Sequence, residues 1–263
     1  NSTIVRSYAL TLSLSLSHSR CALVRSFARY TPTFCDSVSS QPCTKGQEPE
    51  LMTIHGLWPS GMTYDDKSPS YCTNEKFSTS KLTSTTLKRM DCAWISSTGS
   101  NEGFWSYEWS KHGTCADFPT QEAYFQAALD ANDKYDLNVA FQEAGISFSN
   151  DRAPTVSELQ AAMRSSFGVG GQVIKCDSSS LYEIYMCLNW ETLEAYECDS
   201  SYWNTCGSEG STVNFPQGSG AEAATCTSSP TAPQKVNGSG QACRAPSRGK
   251  TLLAGGILAT LLG

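Results

Sequence analysis

The periodic segments predict an α+β protein. Strand-like runs precede and follow a block of helical ones, where a doubly wound fold would alternate them. A hydrophobic share of 39% with 10% aromatics in 263 residues is enough for a buried core and excludes a wholly disordered chain. Twelve cysteines, spread from Cys21 to Cys243 with no CxxC pair, lack the close spacing of zinc sites. They point to a disulfide framework and an oxidising compartment.

The elements follow in order. Leu10 to Leu16 alternates Leu with Ser or Thr, which fits a strand with one buried face; a leftover targeting segment is the alternative. The chain opens on Asn1, so any signal peptide is expected to be already gone. Cys21 to Phe34 reads as a second strand ending near Pro32, and Cys35 and Cys43 bracket a polar loop. Gln121 to Tyr135 is a helix opened by Pro119-Thr120, and Leu137 to Ala144 is a shorter one stopped by Gly145. Thr155 to Phe167 is a third, with Glu158 three residues after Thr155 and Gly168 beyond its end. Val173 to Cys176 and Leu181 to Leu188 are strands rich in β-branched and aromatic residues.

From about Gly207 the chain turns to Gly, Ser, Thr, Ala and Pro, the composition of a linker or tail. The apolar end, Thr251 to Gly263, has thirteen residues, too few for the roughly 20 that span a bilayer. Small residues near Asn237, a polar spacer and this end fit a GPI-attachment signal, hence membrane attachment. A short helix packed on the domain or an imperfect gene model are the alternatives. Asn1 and Asn237 open N-glycosylation tripeptides, which also arise by chance. With 19 basic and 25 acidic side chains the net charge is −6, which argues against a DNA binder held by phosphate neutralisation. No run approaches a membrane span, which excludes a multi-span membrane protein.

Two of the three histidines sit in aromatic, low-charge surroundings. Met52 to Pro59 (MTIHGLWP) begins as an alternating strand that delivers His55 at its end, with Gly56 letting the backbone turn. Phe104 to Cys115 (FWSYEWSKHGTC) reads as a helix on which Glu108, Lys111 and His112 share a face at i, i+3 and i+4. A surface ion pair is the plain alternative, but Trp105, Trp109 and Cys115 are core-like flanks. A carboxylate, an ammonium and two imidazoles around one cleft suit acid–base chemistry on a phosphodiester. One ring must be neutral to take a proton and the other charged to give one. His18 lies apart and reads as a surface residue.

These two segments resemble the active-site motifs of the ribonuclease T2 family. The first is matched by Thr53 to Pro59 without a gap. The second is matched by Phe104 to Cys115 except at Tyr107, where the family usually carries a third histidine. The resemblance spans roughly Cys21 to Pro216, so residues 1–20 read as an N-terminal extension or strand, 21–216 as the catalytic domain and 217–263 as a tail. It implies a central antiparallel sheet with flanking helices, and cleavage of RNA, not DNA, to a 2′,3′-cyclic phosphate and then a 3′-phosphate. No metal or cofactor is implied, since the ribose 2′-OH is an internal nucleophile. By the same resemblance His112 is the general base and His55 the general acid, while Glu108 and Lys111 stabilise the phosphorane. A tyrosine at 107 donates a hydrogen bond but carries no positive charge, so weaker substrate binding and a changed pH profile are expected; a decayed site is the alternative.

The resemblance further places Trp58 and Phe104 near the base pockets. Tyr64 and Asn101 are looser candidates, and core packing is the plain reading of all four. It implies disulfides Cys35–Cys43, Cys72–Cys115, Cys176–Cys206 and Cys187–Cys198, leaving Cys21, Cys92, Cys226 and Cys243 unassigned. A secreted or vacuolar/lysosomal, monomeric enzyme of low base specificity and acidic working pH is expected. The competing class is a binding module that keeps the fold and contacts a membrane, a cell wall or a protein.

Overall fold

In the computed structural model, residues 23–37, 43, 49–60, 68–148, 152–199 and 204–218 are described. The Leu10–Leu16 run, His18, Tyr64, Cys21, Cys226, Cys243, Asn1, Asn237 and the apolar end all lie outside them. Strands β1 (Leu23–Tyr30), β2 (Met52–Ser60), β3 (Val173–Asp177) and β4 (Ser180–Leu188) form an antiparallel sheet in the order β2-β1-β4-β3. Alternation divides its faces. Ala28, Tyr30, Ile54, Ile184 and Met186 belong to the hydrophobic core, whereas Phe27, Arg29, Glu183 and Tyr185 intervene between them.

Two expectations about these strands are corrected. The strand expected to run to Pro32 ends at Tyr30, and helix α1 (Thr31–Ser37) follows at once. Pro32 stands in its first turn, where a missing N–H costs nothing and the fixed φ favours helix. Strand β2 does not end at His55 but continues to Ser60. Pro59 is tolerated there because β2 is an edge strand of this sheet. The pairing steps from Phe27–Gly56 to Ala28–Ile54, so His55 is the extra residue of a β-bulge.

The remaining helices lie between β2 and β3 in sequence. Helix α4 (Gln121–Lys134) is capped by Thr120, whose hydroxyl accepts from Ala123 N–H at 3.1 Å, and buries Tyr124, Phe125 and Ala128. Such a cap contributes about 1 kcal/mol, and full burial of each large side chain about 1.5–3 kcal/mol. Helices α5 (Leu137–Glu143) and α6 (Val156–Phe167) follow. The expected Thr155–Glu158 capping box is present, and Gly168 closes α6 at φ 76°, where a side chain would be strained. Helix α2 (Ser84–Ala93) has no counterpart in the sequence reading. Its Thr-rich start is a poor helix former, but the Glu122 carboxylate of α4 accepts from Thr83 N–H and from the Thr83 and Thr86 hydroxyls.

The four implied disulfides are all present: Cys35–Cys43, Cys72–Cys115, Cys176–Cys206 and Cys187–Cys198. Cys92 is also disulfide-bonded. Cys72–Cys115 closes a loop of 43 residues, a size for which chain entropy predicts roughly 3–4 kcal/mol of stabilisation. It fastens the segment after β2 to the end of helix α3 (Asn101–Lys111). Tyr71 N–H donates to Lys111 O at 3.0 Å beside it.

Candidate active site

Helix α3 begins three residues earlier than the motif, because the Ser100 hydroxyl caps it by accepting from Gly103 N–H at 3.1 Å. Trp105 and Trp109 point into the core, as expected. Glu108 lies on the same helix, fully buried, and His112 is its C-cap, only 3% exposed. Gly113 ends the helix where a Cβ would strike the Trp109 ring. A tryptophan relay ties the helix to the sheet. Trp105 Nε1 donates to Trp94 O at 2.8 Å, and Trp94 Nε1 donates to His55 O at 3.0 Å.

Trp58 is the wall between the two imidazoles. It stacks on His112 with centroids 4.2 Å apart and meets His55 edge-on at 4.9 Å. Phe27 approaches the same indole at 3.8 Å, and Trp58 Nε1 donates to Glu108 Oε2 at 2.7 Å. Gly56 is therefore needed not to turn the chain but to leave room. A Cβ there would collide with the Trp58 indole nitrogen and the Glu108 carboxylate.

The two histidines differ in their partners. Both nitrogens of His112 lack a hydrogen-bond partner among the described residues, and so does Glu108 Oε1. Burial, followed by the charges of Lys111 and His55, pushes His112 from 6.5 down to about 3. Burial also raises the Glu108 carboxyl above its ordinary range, against the opposing pull of His55, Trp58, Arg29 and Lys111. His55, in contrast, sits between Glu183 of β4, which faces Nδ1, and Arg29 of β1, which faces Nε2. Glu108 Oε1 lies 3.8 Å from that Nε2. Burial would raise Glu183, but the His55 and Arg29 contacts outweigh it and hold the carboxyl below its usual value. The hydrogen bond from Lys111 Nζ to Tyr107 Oη, at 2.9 Å, leads the effects that raise Lys111.

The structure thus gathers His55, Trp58, Phe104, Glu108, Lys111 and His112. Tyr107 is adjacent and 48% exposed. Phe104 stacks over His55 with centroids 6.0 Å apart. Asn101 is otherwise engaged: Oδ1 accepts from Ser96 N–H at 2.8 Å and Nδ2 donates to Asp91 at 3.2 Å. The sequence reading missed Arg29 and Glu183. Their signal was a charged residue inside an apolar strand, SFARY and LYEIYMCL, where burial demands a partner.

Residues 23–198 match the Ribonuclease T2 family model. Extracellular ribonuclease LE of Solanum lycopersicum is 32% identical over 197 residues, covering 70% of this chain and 82% of that one. Ribonuclease DdI of Dictyostelium discoideum is 30% identical over 188 residues, covering 70% and 79%. Intracellular ribonuclease LX of Solanum lycopersicum is 33% identical over 201 residues, covering 72% and 81%. Among solved structures, RNase NT in complex with 5′-AMP superposes with a TM-score of 0.63 at 27% identity, covering 74% of this chain and 98% of that one. Ribonuclease MC1 from bitter gourd seeds does so with a TM-score of 0.62 at 25% identity, covering 74% and 100%. With fold, motif order and family match in agreement, the chain belongs to the ribonuclease T2 family and is an endoribonuclease of that family.

Proposed function

We propose that the protein cleaves single-stranded RNA by metal-free transesterification, with His112 as base and His55 as acid. The observation that carries this reading is the contrast between the two imidazoles: one buried and held neutral, one set against an ionised carboxylate. Environments that push paired groups apart are how one site holds a base and an acid at a single pH.

His112 takes the proton of the ribose 2′-OH as the oxygen attacks phosphorus. The P–O5′ bond breaks, and protonated His55 gives its Nε2 proton to the departing O5′. The product is a 2′,3′-cyclic phosphate, which water opens to a 3′-phosphate by the reverse proton traffic. Lys111 opposes charge on the non-bridging oxygens, and Glu108, whose carboxyl burial shifts toward its neutral form, orients the groups around the phosphate and can share a proton with it. The indole of Trp58 covers His112, so the ribose must displace it to reach the base.

Trp58 has its ring taken up by Phe27 and His112, which leaves Phe104 as the stronger stacking surface. Asn101 spends its amide on Ser96 and Asp91. Recognition by stacking tolerates every base, in keeping with low base specificity. The disulfides suit a secreted or vacuolar enzyme. Digestion of homopolymer RNA in EDTA from pH 4 to 8, with detection of cyclic phosphate ends, tests the reading. Such ends are expected from all four homopolymers. Cleavage that needs a metal, or that leaves 5′-phosphates, would overturn it.

A further inference from the structure

Arg29 belongs to neither motif, yet its guanidinium reaches the nitrogen from which His55 must deliver a proton. The sheet explains why. Arg29 and Glu183 are direct cross-strand partners on β1 and β4, and the bulge in β2 swings His55 toward them. Glu183 Oε1 accepts from Arg29 Nε at 3.4 Å and also takes His55 Nδ1–H. That fixes the imidazole tautomer, because a ring that gives its proton to a carboxylate at Nδ1 keeps its lone pair at Nε2. Arg29 Nη2 donates into that lone pair. Phe34, 4.0 Å from the guanidinium, and Phe104, at 6.0 Å, hold the group in place.

An imidazole nitrogen that accepts from arginine cannot at the same time carry the proton an acid needs. His55 becomes an acid only when Arg29 lets go, and Arg29 lets go for a better acceptor. A non-bridging phosphate oxygen is such an acceptor: it is anionic, and the guanidinium fork matches two oxygens at once. Glu108 Oε1, buried and without a hydrogen-bond partner among the described residues, stands 3.8 Å from the same Nε2, beside the point where the phosphate would enter. On the helix side, Tyr107 carries a phenol rather than a cation, and its oxygen accepts from Lys111 Nζ.

We propose that Arg29 binds the scissile phosphate, and that its transfer from His55 Nε2 to phosphate frees that nitrogen to be protonated. The proposal rests on His55 being the acid of RNA cleavage. Glu183 is the positioning residue that holds both groups.

The test is Arg29→Gln beside Arg29→Lys, read by titration of inorganic phosphate against the His55 imidazole resonance and by KM and kcat on RNA. Arg29→Gln is expected to weaken phosphate binding and raise KM about tenfold, with kcat changed less than threefold; Arg29→Lys, a charge without a fork, should fall between. Phosphate affinity and KM within twofold of the parent in both variants would overturn the proposal. Should Arg29→Gln fail to fold, Arg29→Lys decides alone, since it keeps a cation beside Glu183 and still predicts a loss of threefold or more. Phosphate binding needs no turnover, so the two readings fail separately. A parent that binds phosphate through Arg29 but makes no cyclic ends sinks the mechanism alone. A parent that makes them, with Arg29 variants binding phosphate normally, sinks only the role of Arg29.

Discussion

The sheet side and the helix side of the site solve opposite problems with the same side chain. On the helix side, His112 and Glu108 are sealed behind Trp58 with polar atoms left without partners among the described residues, and burial drives both toward their neutral forms. On the sheet side, His55 is saturated with partners, Glu183 at one nitrogen and Arg29 at the other, and the carboxylate stays ionised. A lone buried base and a tethered acid are two ways of fixing a proton's location, one by withholding solvent and one by supplying charge. Both demand stability. Unsatisfied buried groups cost about 1–3 kcal/mol each, which the cross-links and the aromatic core must offset.

Removal of either imidazole is the most severe way to break the contrast. His112→Ala and His55→Ala are each expected to lower kcat by about 10²–10⁴-fold on RNA, the usual worth of a positioned acid or base. The two should separate on a substrate with an activated leaving group, such as a nucleoside 3′-aryl phosphate. That leaving group needs no acid, so the His55 variant recovers and the His112 variant does not. Equal defects on both substrates would show that the roles are not divided in this way.

A milder probe acts on the sheet side alone. Glu183→Gln preserves an acceptor for Nδ1–H but removes the charge. The groups facing His55 are then Arg29 on β1, Glu108 on α3 and His112 at its cap. Without the carboxylate the ring loses the charged acceptor that fixes its orientation, so kcat/KM on RNA is expected to fall about tenfold, with a smaller loss on the aryl phosphate, which needs no acid. An equal loss on both substrates would reduce Glu183 to a structural part.

The helix side has its own signature in stability. The unfolded chain gains a proton on His112 as pH falls through 6.5, and the folded chain does not until about 3. The stability contributed by the neutral buried ring is therefore whole above 6.5 and is lost between 6.5 and 3, at up to about 1.4 kcal/mol per pH unit. Glu108, raised by burial, runs the other way: its contribution is present at low pH and is lost as pH rises through its elevated folded value. Glu183, lowered by His55 and Arg29 against its own burial, loses its contribution as pH falls. Urea unfolding at pH 7, 6 and 5 is expected to give a declining free energy for the parent and a flatter line for His112→Gln. Parallel lines would mean that the ring is not held neutral.

How much of this was legible depends on how far apart in sequence the partners lie. The helix α6 boundaries follow from its own capping box and the glycine beyond its end, whereas for α3 the face at i, i+3 and i+4 gives the helix but not its start at the Ser100 cap. Both motifs are local, so the two histidines could be picked out directly, while their division into acid and base came from the family resemblance. The bulge at His55 could not, because it is a mismatch between two strands and neither strand alone specifies it. Arg29 and Glu183 lie 154 residues apart, and their pairing exists only once β1 and β4 have met. Helix α2 escaped for a related reason: its Thr-rich start is a weak helix former, and its own cap at Thr83 is reinforced by a carboxylate that only α4 supplies.

The smallest expected effect sharpens the division of charge. Tyr107 is half exposed, and its hydroxyl does no more than accept from Lys111. If a phosphate-binding cation were missing, Tyr107→His should rescue a crippled enzyme. If Arg29 already supplies that charge from the sheet side, a second cation on the helix side gains little. The expectation is a two- to fivefold rise in kcat/KM at pH 5, where an exposed imidazole is charged, and no change at pH 8, where it is neutral. Turnover of RNA at the two pH values measures it. A rise of a hundredfold at pH 5 would show that the parent site lacks an effective phosphate cation, and the sheet side would then lose its claim to that role.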